Sequence, residues 1–110
     1  MIQYSISKEY SDTLGARYVK QSMFSGEHFR ETVLIPLYNQ AKRENTKLFL
    51  DLDDTYGYPP SFLEEAFGGL ARAFPAENTL LYLELKSDDQ PSVIEDIIQD
   101  IKTAVEGKHL

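Results

Sequence analysis

Apolar and polar residues alternate at the start of the chain. Ile2, Tyr4 and Ile6 are separated by polar residues, and this period of two is typical of a strand with one buried face. Residues 11–15 contain serine, aspartate and glycine and are typical of a turn. Residues 17–21 can then form a returning strand. The pattern therefore predicts an N-terminal β-hairpin.

The apolar residues that follow recur at helical spacing. Ser25 stands where a helix cap is expected, and the spacing after it predicts an amphipathic helix over residues 26–43. Pro36 falls inside this helix, where it removes a backbone donor and crowds the preceding turn. We therefore expect a kink or a break near Thr32. Residues 48–52 are a short apolar run, which is typical of a strand buried on both faces of a sheet.

The second half of the chain alternates between helix and strand. After a loop over residues 53–60, apolar residues from Phe62 to Phe74 lie along one side of a second helix, which Pro75 ends. Residues 80–85 are a third apolar run, typical of a strand. A last helix carries apolar residues at helical spacing, namely Val93, Ile94, Ile97, Ile98, Ile101 and Val105.

These elements follow one another in the order β-β-α-β-α-β-α. A strand, a helix and a strand in succession normally form a right-handed parallel crossover, so the strands over residues 48–52 and 80–85 are expected to be parallel neighbours. The predicted fold class is α/β, with a mixed four-stranded sheet and helices packed on it. The length of 110 residues suits a single domain over residues 1–110.

The composition argues against several classes of partner and chemistry. A formal net charge of −7 disfavours nucleic acid and an anionic membrane as the main partner. The chain has no cysteine, which removes disulfides, thiolate nucleophiles and cysteine-bound metals. His28 and His109 lack the spacing of metal ligands, so we expect no metal and no cofactor. The start of the chain lacks a basic region followed by an apolar run, which favours a soluble cytoplasmic protein. We expect this protein to be a monomer or a homodimer.

The loop after the central strand carries the most informative residues. In open α/β sheets, functional groups usually lie beyond the carboxyl ends of the strands, and residues 51–61 occupy that position. Ser61 and Glu64 have the spacing of a capping box, in which each side chain satisfies a terminal backbone amide of the helix. Glu65 is expected to be solvated. The alternative role for Ser61 is phosphorylation, because the helix dipole would tolerate a phosphate at an exposed helix start.

Four segments in the middle of the chain have the form of a known family. They are Ser25-Gly26-Glu27-x-Phe29-Arg30, Phe49-Leu50-Asp51-Leu52-Asp53, Gly57-Tyr58, and residues 61–70, which read SFLEEAFGGL. Together they resemble the STAS-like domains related to the anti-sigma factor antagonists. The resemblance implies a STAS-like fold, Ser61 as the candidate phosphoacceptor and an ATPase-like serine kinase as the partner. Pro59, Pro60 and Phe62 depart from the Asp, Ser and Gly of the antagonists' Asp-Ser-Ser-Gly segment.

The chain is therefore predicted to be a non-catalytic interaction and regulatory module that binds a partner protein. The surface that faces the partner is expected to be the loop and the start of the second helix. It comprises Tyr56, Gly57, Tyr58, Pro59, Pro60, Ser61 and Glu64.

The alternative interpretation is enzymatic. Residues 48–55 resemble the first motif of the haloacid-dehalogenase superfamily, an apolar strand followed by Asp-x-Asp-x-Thr. That resemblance implies a Mg²⁺-dependent phosphatase with Asp51 as nucleophile and Asp53 as acid/base, and Ser87 after the next strand could mimic the second motif. Only 23 residues follow Ser87, however, and none of them supplies an acidic pair on a further strand to complete the metal site. The interaction module is therefore the preferred hypothesis, and we expect no enzymatic activity.

Overall fold

The computed structural model describes residues 1–107, which form a parallel sheet with helices between its strands. The strands are β1 (Ile2–Ser5), β2 (Leu48–Asp51) and β3 (Leu83–Lys86). β2 lies in the centre and is paired in parallel with both neighbours. The register places Tyr4, Leu50 and Leu85 side by side across the three strands.

Six α-helices lie within the described part of the chain. They are α1 (Ile6–Glu9), α2 (Gly26–Phe29), α3 (Ile35–Arg43), α4 (Pro60–Leu63), α5 (Gly69–Ala73) and α6 (Ser92–Gly107). A first π-helical turn, Arg30–Leu34, joins α2 to α3, and a second, Glu64–Gly68, joins α4 to α5. Two continuous helices therefore connect the three strands. A short 3₁₀ helix, Thr79–Tyr82, occupies the first part of the predicted third strand.

The prediction of a mixed four-stranded sheet is wrong, because residues 17–21 do not form a strand. The backbone amide of Gln21 instead donates to the carbonyl of Tyr18 at 2.9 Å, and the Tyr18 amide donates to the Gln21 side chain at 3.1 Å. These bonds close a turn and use backbone groups that a strand would offer to a neighbour. The sheet within residues 1–107 is therefore three-stranded and entirely parallel.

The first strand is also shorter than its alternating pattern predicted. The Ser5 hydroxyl accepts a hydrogen bond from the Lys8 amide at 3.3 Å and caps α1. Ile6 is fully buried, but as the first residue of this short helix and not as part of β1. Local capping by a serine thus ended the strand earlier than the alternation of residues indicated.

Where a kink or a break was expected near Thr32, the helix contains the first π-helical turn and is not broken. Pro36 lies in the first turn of α3 and has no amide hydrogen to donate to the turn before it. The Thr32 hydroxyl donates to the carbonyl of His28 at 2.7 Å and satisfies one acceptor in this region. The chain therefore continues as one helix through the proline.

The helices pack on one face of the sheet and leave the other face open. The helices of the two crossovers contact each other, and α6 contacts the second of them. Leu48 and Leu50 face this layer and are fully buried. Phe49 points to the opposite face, where its neighbours in the register, Gln3 and Glu84, are exposed. The expectation that β2 is buried on both faces is therefore wrong.

The core lies between the helix layer and the covered face of the sheet. The predicted face of the second helix is confirmed, because Phe62, Phe67 and Leu70 are fully buried. Val93 and Ile97 of α6 close the same core. Within residues 1–107, the helices lack the combination of length and apolar character that is needed to cross a membrane.

Candidate functional site

The carboxyl-end loop, residues 52–59, follows β2 and is fixed through Asp53. One carboxylate oxygen of Asp53 accepts from Lys86 Nζ at 2.6 Å, and the other accepts from the amides of Asp88 and Asp89 at 2.8 and 3.1 Å. The hydrogen bond from Lys86 and those from the two amides hold the pKa of this carboxyl far below its ordinary value. Asp53 is therefore an ionised, buried anchor that joins the loops after β2 and β3.

Two neighbouring aspartates, Asp51 and Asp54, shape the same loop. Asp51 Oδ1 accepts from the amide of Asp53 at 3.0 Å, which closes a tight turn at the end of β2. Asp54 has a left-handed backbone with φ of 69°, and its amide donates to the Asp89 carboxylate at 3.0 Å. The carboxylates of Asp51, Asp53 and Asp89 are thus all engaged in holding the backbone of the loops.

Tyr58 and Gly57 set the direction in which the carboxyl-end loop leaves the sheet. Tyr58 Oη donates to the carbonyl of Leu52 at 2.8 Å, and burial raises the pKa of its hydroxyl well above the ordinary value. Gly57 has φ of 143°, which side-chain-bearing residues rarely adopt. The loop therefore closes on itself, with Tyr58 packed inward.

Tyr56 points away from this closed loop. Its side chain is 86% exposed, although its own amide donates to the carbonyl of Asp12 at 2.9 Å. A shallow groove of about 300 Å³ lies beside it. The groove is lined by Thr13, Leu14, Tyr56, Gly57, Tyr58 and Pro59. The backbone of the loop tip is thus fixed while its largest apolar side chain stands in solvent.

The predicted capping box at Ser61 is wrong. α4 begins at Pro60 with Pro59 at the N-cap position, and no side chain caps this helix. A proline suits the first helical position because its missing amide hydrogen would have no partner there. Ser61 is therefore the second helical residue and lies half-buried in the first turn of α4, directly after Pro60.

Glu64 binds two arginines and does not reach back to the start of α4. Glu64 Oε1 lies 2.6 Å from Arg17 Nη1, and Oε2 lies 2.6 Å from Arg72 Nη1. The hydrogen bond from Arg72 and a second from Arg17 keep the pKa of Glu64 below its ordinary value in spite of partial burial. The carboxylate therefore ties the second long helix to the segment around Arg17.

Glu65 was expected to be solvated, and this is wrong. Its side chain is only 12% exposed and lies 2.6 Å from Arg30 Nη1 and 3.1 Å from Arg17 Nη1. Burial raises the pKa of Glu65, but the hydrogen bonds from Arg30 and Arg17 outweigh burial and leave it below its ordinary value. Arg17 and Arg30 are the partners of these glutamates beside the candidate site, and sequence reasoning missed both. The sequence did contain one signal for them, namely two adjacent glutamates on a helix that is otherwise rich in apolar residues. A carboxylate that is buried on such a helix needs a cationic partner.

The residues considered for metal binding and phosphatase chemistry have other contacts. His28 Nδ1 lies 2.7 Å from Tyr10 Oη, and the Ser87 hydroxyl accepts from the Gln90 amide at 3.2 Å. Among residues 1–107, no three or more histidine, aspartate or glutamate side chains are grouped so that they could hold a metal ion. His109 lies outside the described residues.

The site therefore combines a fixed loop, an exposed tyrosine and the start of a helix tied by ion pairs. Neither curated proteins nor solved structures include a significant match to this chain. Residues 25–93, which include β2, the carboxyl-end loop and both π-helical turns, match the family described as STAS-like domain of unknown function (DUF4325). The chain belongs to this family of STAS-like domains.

Proposed function

We propose that this STAS-like domain is a non-catalytic module that binds a partner protein through the carboxyl-end loop and the start of α4. The observation that carries the proposal is Tyr56, which is 86% exposed on a loop whose backbone is fixed by hydrogen bonds. The proposed surface comprises Tyr56, Gly57, Tyr58, Pro59, Pro60, Ser61 and Glu64.

A fixed loop with an exposed tyrosine suits protein recognition for an energetic reason. Tyrosine provides a large contact area with few rotatable bonds, and it is enriched among the residues that dominate binding free energy. Binding normally costs free energy because loops and side chains become ordered. Here the bonds of Tyr56 to Asp12 and of Tyr58 to Leu52 have already ordered the loop. Most of the contact free energy of Tyr56 would therefore contribute to affinity.

The state of Asp53 supports a non-catalytic role. A general acid or base works best with a pKa near the working pH, whereas the pKa of Asp53 is held far below its ordinary value by Lys86 and two amides. Its carboxylate oxygens already accept three hydrogen bonds. A proton-transfer role would require these contacts to break, and the loop that carries Tyr56 would lose its anchor.

Ser61 is the proposed point of regulation on this surface. It is half-buried in the first turn of a helix, where unpaired amides and the helix dipole favour a negative charge. A phosphate on Ser61 would add about −1.5 to −2 charges next to the surface that the partner approaches. The family resemblance points to an ATPase-like serine kinase as the partner that adds this phosphate.

Site-specific photo-crosslinking tests the proposal. Tyr56 is replaced by p-benzoylphenylalanine, and the protein is irradiated in native extract. The matched control carries the same replacement at Leu81, which is also exposed but precedes β3 at the opposite end of the strands. We expect one protein to be crosslinked from position 56 and not from position 81. Equal crosslinking from the two positions, or none from position 56, would contradict the proposal.

A further inference from the structure

A second exposed apolar surface lies beside the carboxyl-end loop. The segment between α1 and α2, residues 10–25, has no helix or strand, and we call its part from residue 10 to residue 24 the entry loop. Four of the six exposed large apolar side chains within residues 1–107 lie on these two loops. They are Tyr18, Val19 and Met23 on the entry loop and Tyr56 on the carboxyl-end loop.

The entry loop is fixed at its base although its tip is exposed. The amide of Gly15 donates to the carbonyl of Phe24 at 2.9 Å, and the amide of Gly26 donates to the carbonyl of Ala16 at 2.9 Å. Near the tip, the Val19 amide donates to the Glu27 carboxylate at 3.0 Å. Arg17 adds its ion pairs to the glutamates of the second long helix. The base thus has a defined position relative to α4.

The two loops are adjacent and face the same end of the sheet. The carbonyl of Asp12 on the entry loop accepts from the Tyr56 amide, and Leu14 shares the groove beside Tyr56. Met23 at the tip is 77% exposed. Long loops without secondary structure in compact domains are usually functional when they are ordered, and the contacts of Asp12 and Leu14 place this loop at the same end of the sheet as Tyr56.

The charges around these loops distinguish between the types of occupant. Exposed carboxylates of Asp12, Asp54, Asp88 and Asp89 lie on or next to the two loops. The cations near them include Lys20 on the entry loop and Lys86, whose Nζ lies 2.6 Å from Asp53 and 3.2 Å from Asp88. A second copy of this chain would bring the same carboxylates into contact, and an anionic membrane would repel them. A partner with lysine or arginine around an apolar groove would be attracted to them.

We propose that the entry loop forms the second half of the partner site, and that the partner presents an apolar groove bordered by basic side chains. Tyr18, Val19 and Met23 would enter this groove beside Tyr56, and the aspartates would face its basic border. The inference rests on the proposed function, because it concerns the same surface and the same partner.

The experiment uses the partner protein that is captured by crosslinking from position 56. This partner is purified without the crosslink and titrated by calorimetry against the full chain. The test variant is Tyr18→Ser with Met23→Ser, and the matched control is Leu81→Ser, an exposed apolar residue at the opposite end of the strands. We expect the double variant to bind about tenfold more weakly or worse while its thermal midpoint stays unchanged, and the control to bind normally. Added salt should weaken the wild-type complex, and Asp12→Asn with Asp88→Asn should reduce this salt dependence.

The outcomes separate the inference from the proposed function. If Tyr56→Ala weakens binding but the entry-loop variant does not, the entry loop is excluded and the proposed function stands. If the captured protein binds both variants normally, or if no protein is crosslinked from position 56, both proposals are overturned. Binding that strengthens with salt would contradict the basic border. A homodimer that the entry-loop variant dissociates would show that the occupant is a second copy and would overturn the inference.

Discussion

Arg30 and Glu65 are joined by two hydrogen bonds from a single guanidinium nitrogen. Arg30 Nη1 lies 2.6 Å from Glu65 Oε2 and 2.7 Å from the Glu65 carbonyl oxygen. Arg30 begins the first π-helical turn and Glu65 lies in the second, so this contact fixes the two crossover helices against each other. Gly69 leaves room for the arginine, since a Cβ atom at this position would lie only 2.9 Å from Arg30 Cδ.

The ion pair predicts unequal effects for the two acidic partners of Arg30. Glu65→Ala removes a carboxylate that is 12% exposed, whereas Glu31→Ala removes one that is 57% exposed. We expect Glu65→Ala to lower the free energy of unfolding by about 1–3 kcal/mol, because it leaves a largely buried guanidinium short of an acceptor. Glu31→Ala should cost about 0–1 kcal/mol. Urea unfolding of both variants measures the difference, and equal midpoints would show that Glu65 has no structural role.

The stability of the fold should fall in acid. The folded-state pKa values of Glu64 and Glu65 lie below their ordinary values, so the unfolded chain binds protons at a higher pH than the folded chain does. Their stabilising contribution is therefore complete above the ordinary glutamate pKa of about 4.3 and is lost as the pH falls through the folded-state values. Glu65→Gln should reduce the decline in unfolding free energy below about pH 4.3. An identical decline in the variant and the wild type would contradict this account.

Two serines at helix starts should differ in their effect on stability. Ser25 is fully buried, and its hydroxyl accepts from the His28 amide at 3.0 Å as the cap of α2. Ser61 follows Pro60 inside α4 and does not cap that helix. Ser25→Ala should therefore cost about 0.5–2 kcal/mol and Ser61→Ala less than about 0.5 kcal/mol. Thermal unfolding compares the two, and a larger loss for Ser61→Ala would mean that α4 begins differently.

The open face of the sheet predicts a contrast between neighbours on β2. Leu50 is fully buried against the helices, whereas Phe49 faces the opposite side and is only partly buried. Leu50→Ala should cost about 2–5 kcal/mol. Phe49→Ala should cost about 1 kcal/mol, roughly half of what full burial of an aromatic ring contributes. A loss for Phe49→Ala as large as that for Leu50→Ala would show that the face is covered in solution.

Regular hydrophobic patterns predicted the parts of the fold that depend on local spacing. The two long helices, the buried face that carries Phe67, and the cap at Ser25 are all present. Tyr18 and Val19 suggested a strand because β-branched and aromatic residues favour strands. In the structure these side chains are exposed on the entry loop. The pattern of apolar residues identifies side chains that need a partner, but it does not tell whether the partner lies inside the fold.

The errors at the site have a different cause. The spacing of Ser61 and Glu64 fits a capping box, but Glu64 instead pairs with Arg17, which is 47 residues away in sequence. Contacts across such a separation depend on the folded arrangement of the entry loop and were not readable from local spacing. The second π-helical turn, Glu64–Gly68, was also hidden, because such turns are rare and occur mostly as single turns inside α-helices.

The most direct test of the central claim is a calorimetric titration. The partner protein that was identified by crosslinking from position 56 is titrated with the Tyr56→Ala variant of this chain. Because Tyr56 is exposed and its loop is held by backbone and Tyr58 contacts, the variant should keep the wild-type thermal midpoint. The account predicts that its affinity falls by about tenfold or more, while Leu81→Ala binds as the wild type does. Unchanged affinity in a folded Tyr56→Ala protein would contradict the claim that this loop is the partner-binding surface.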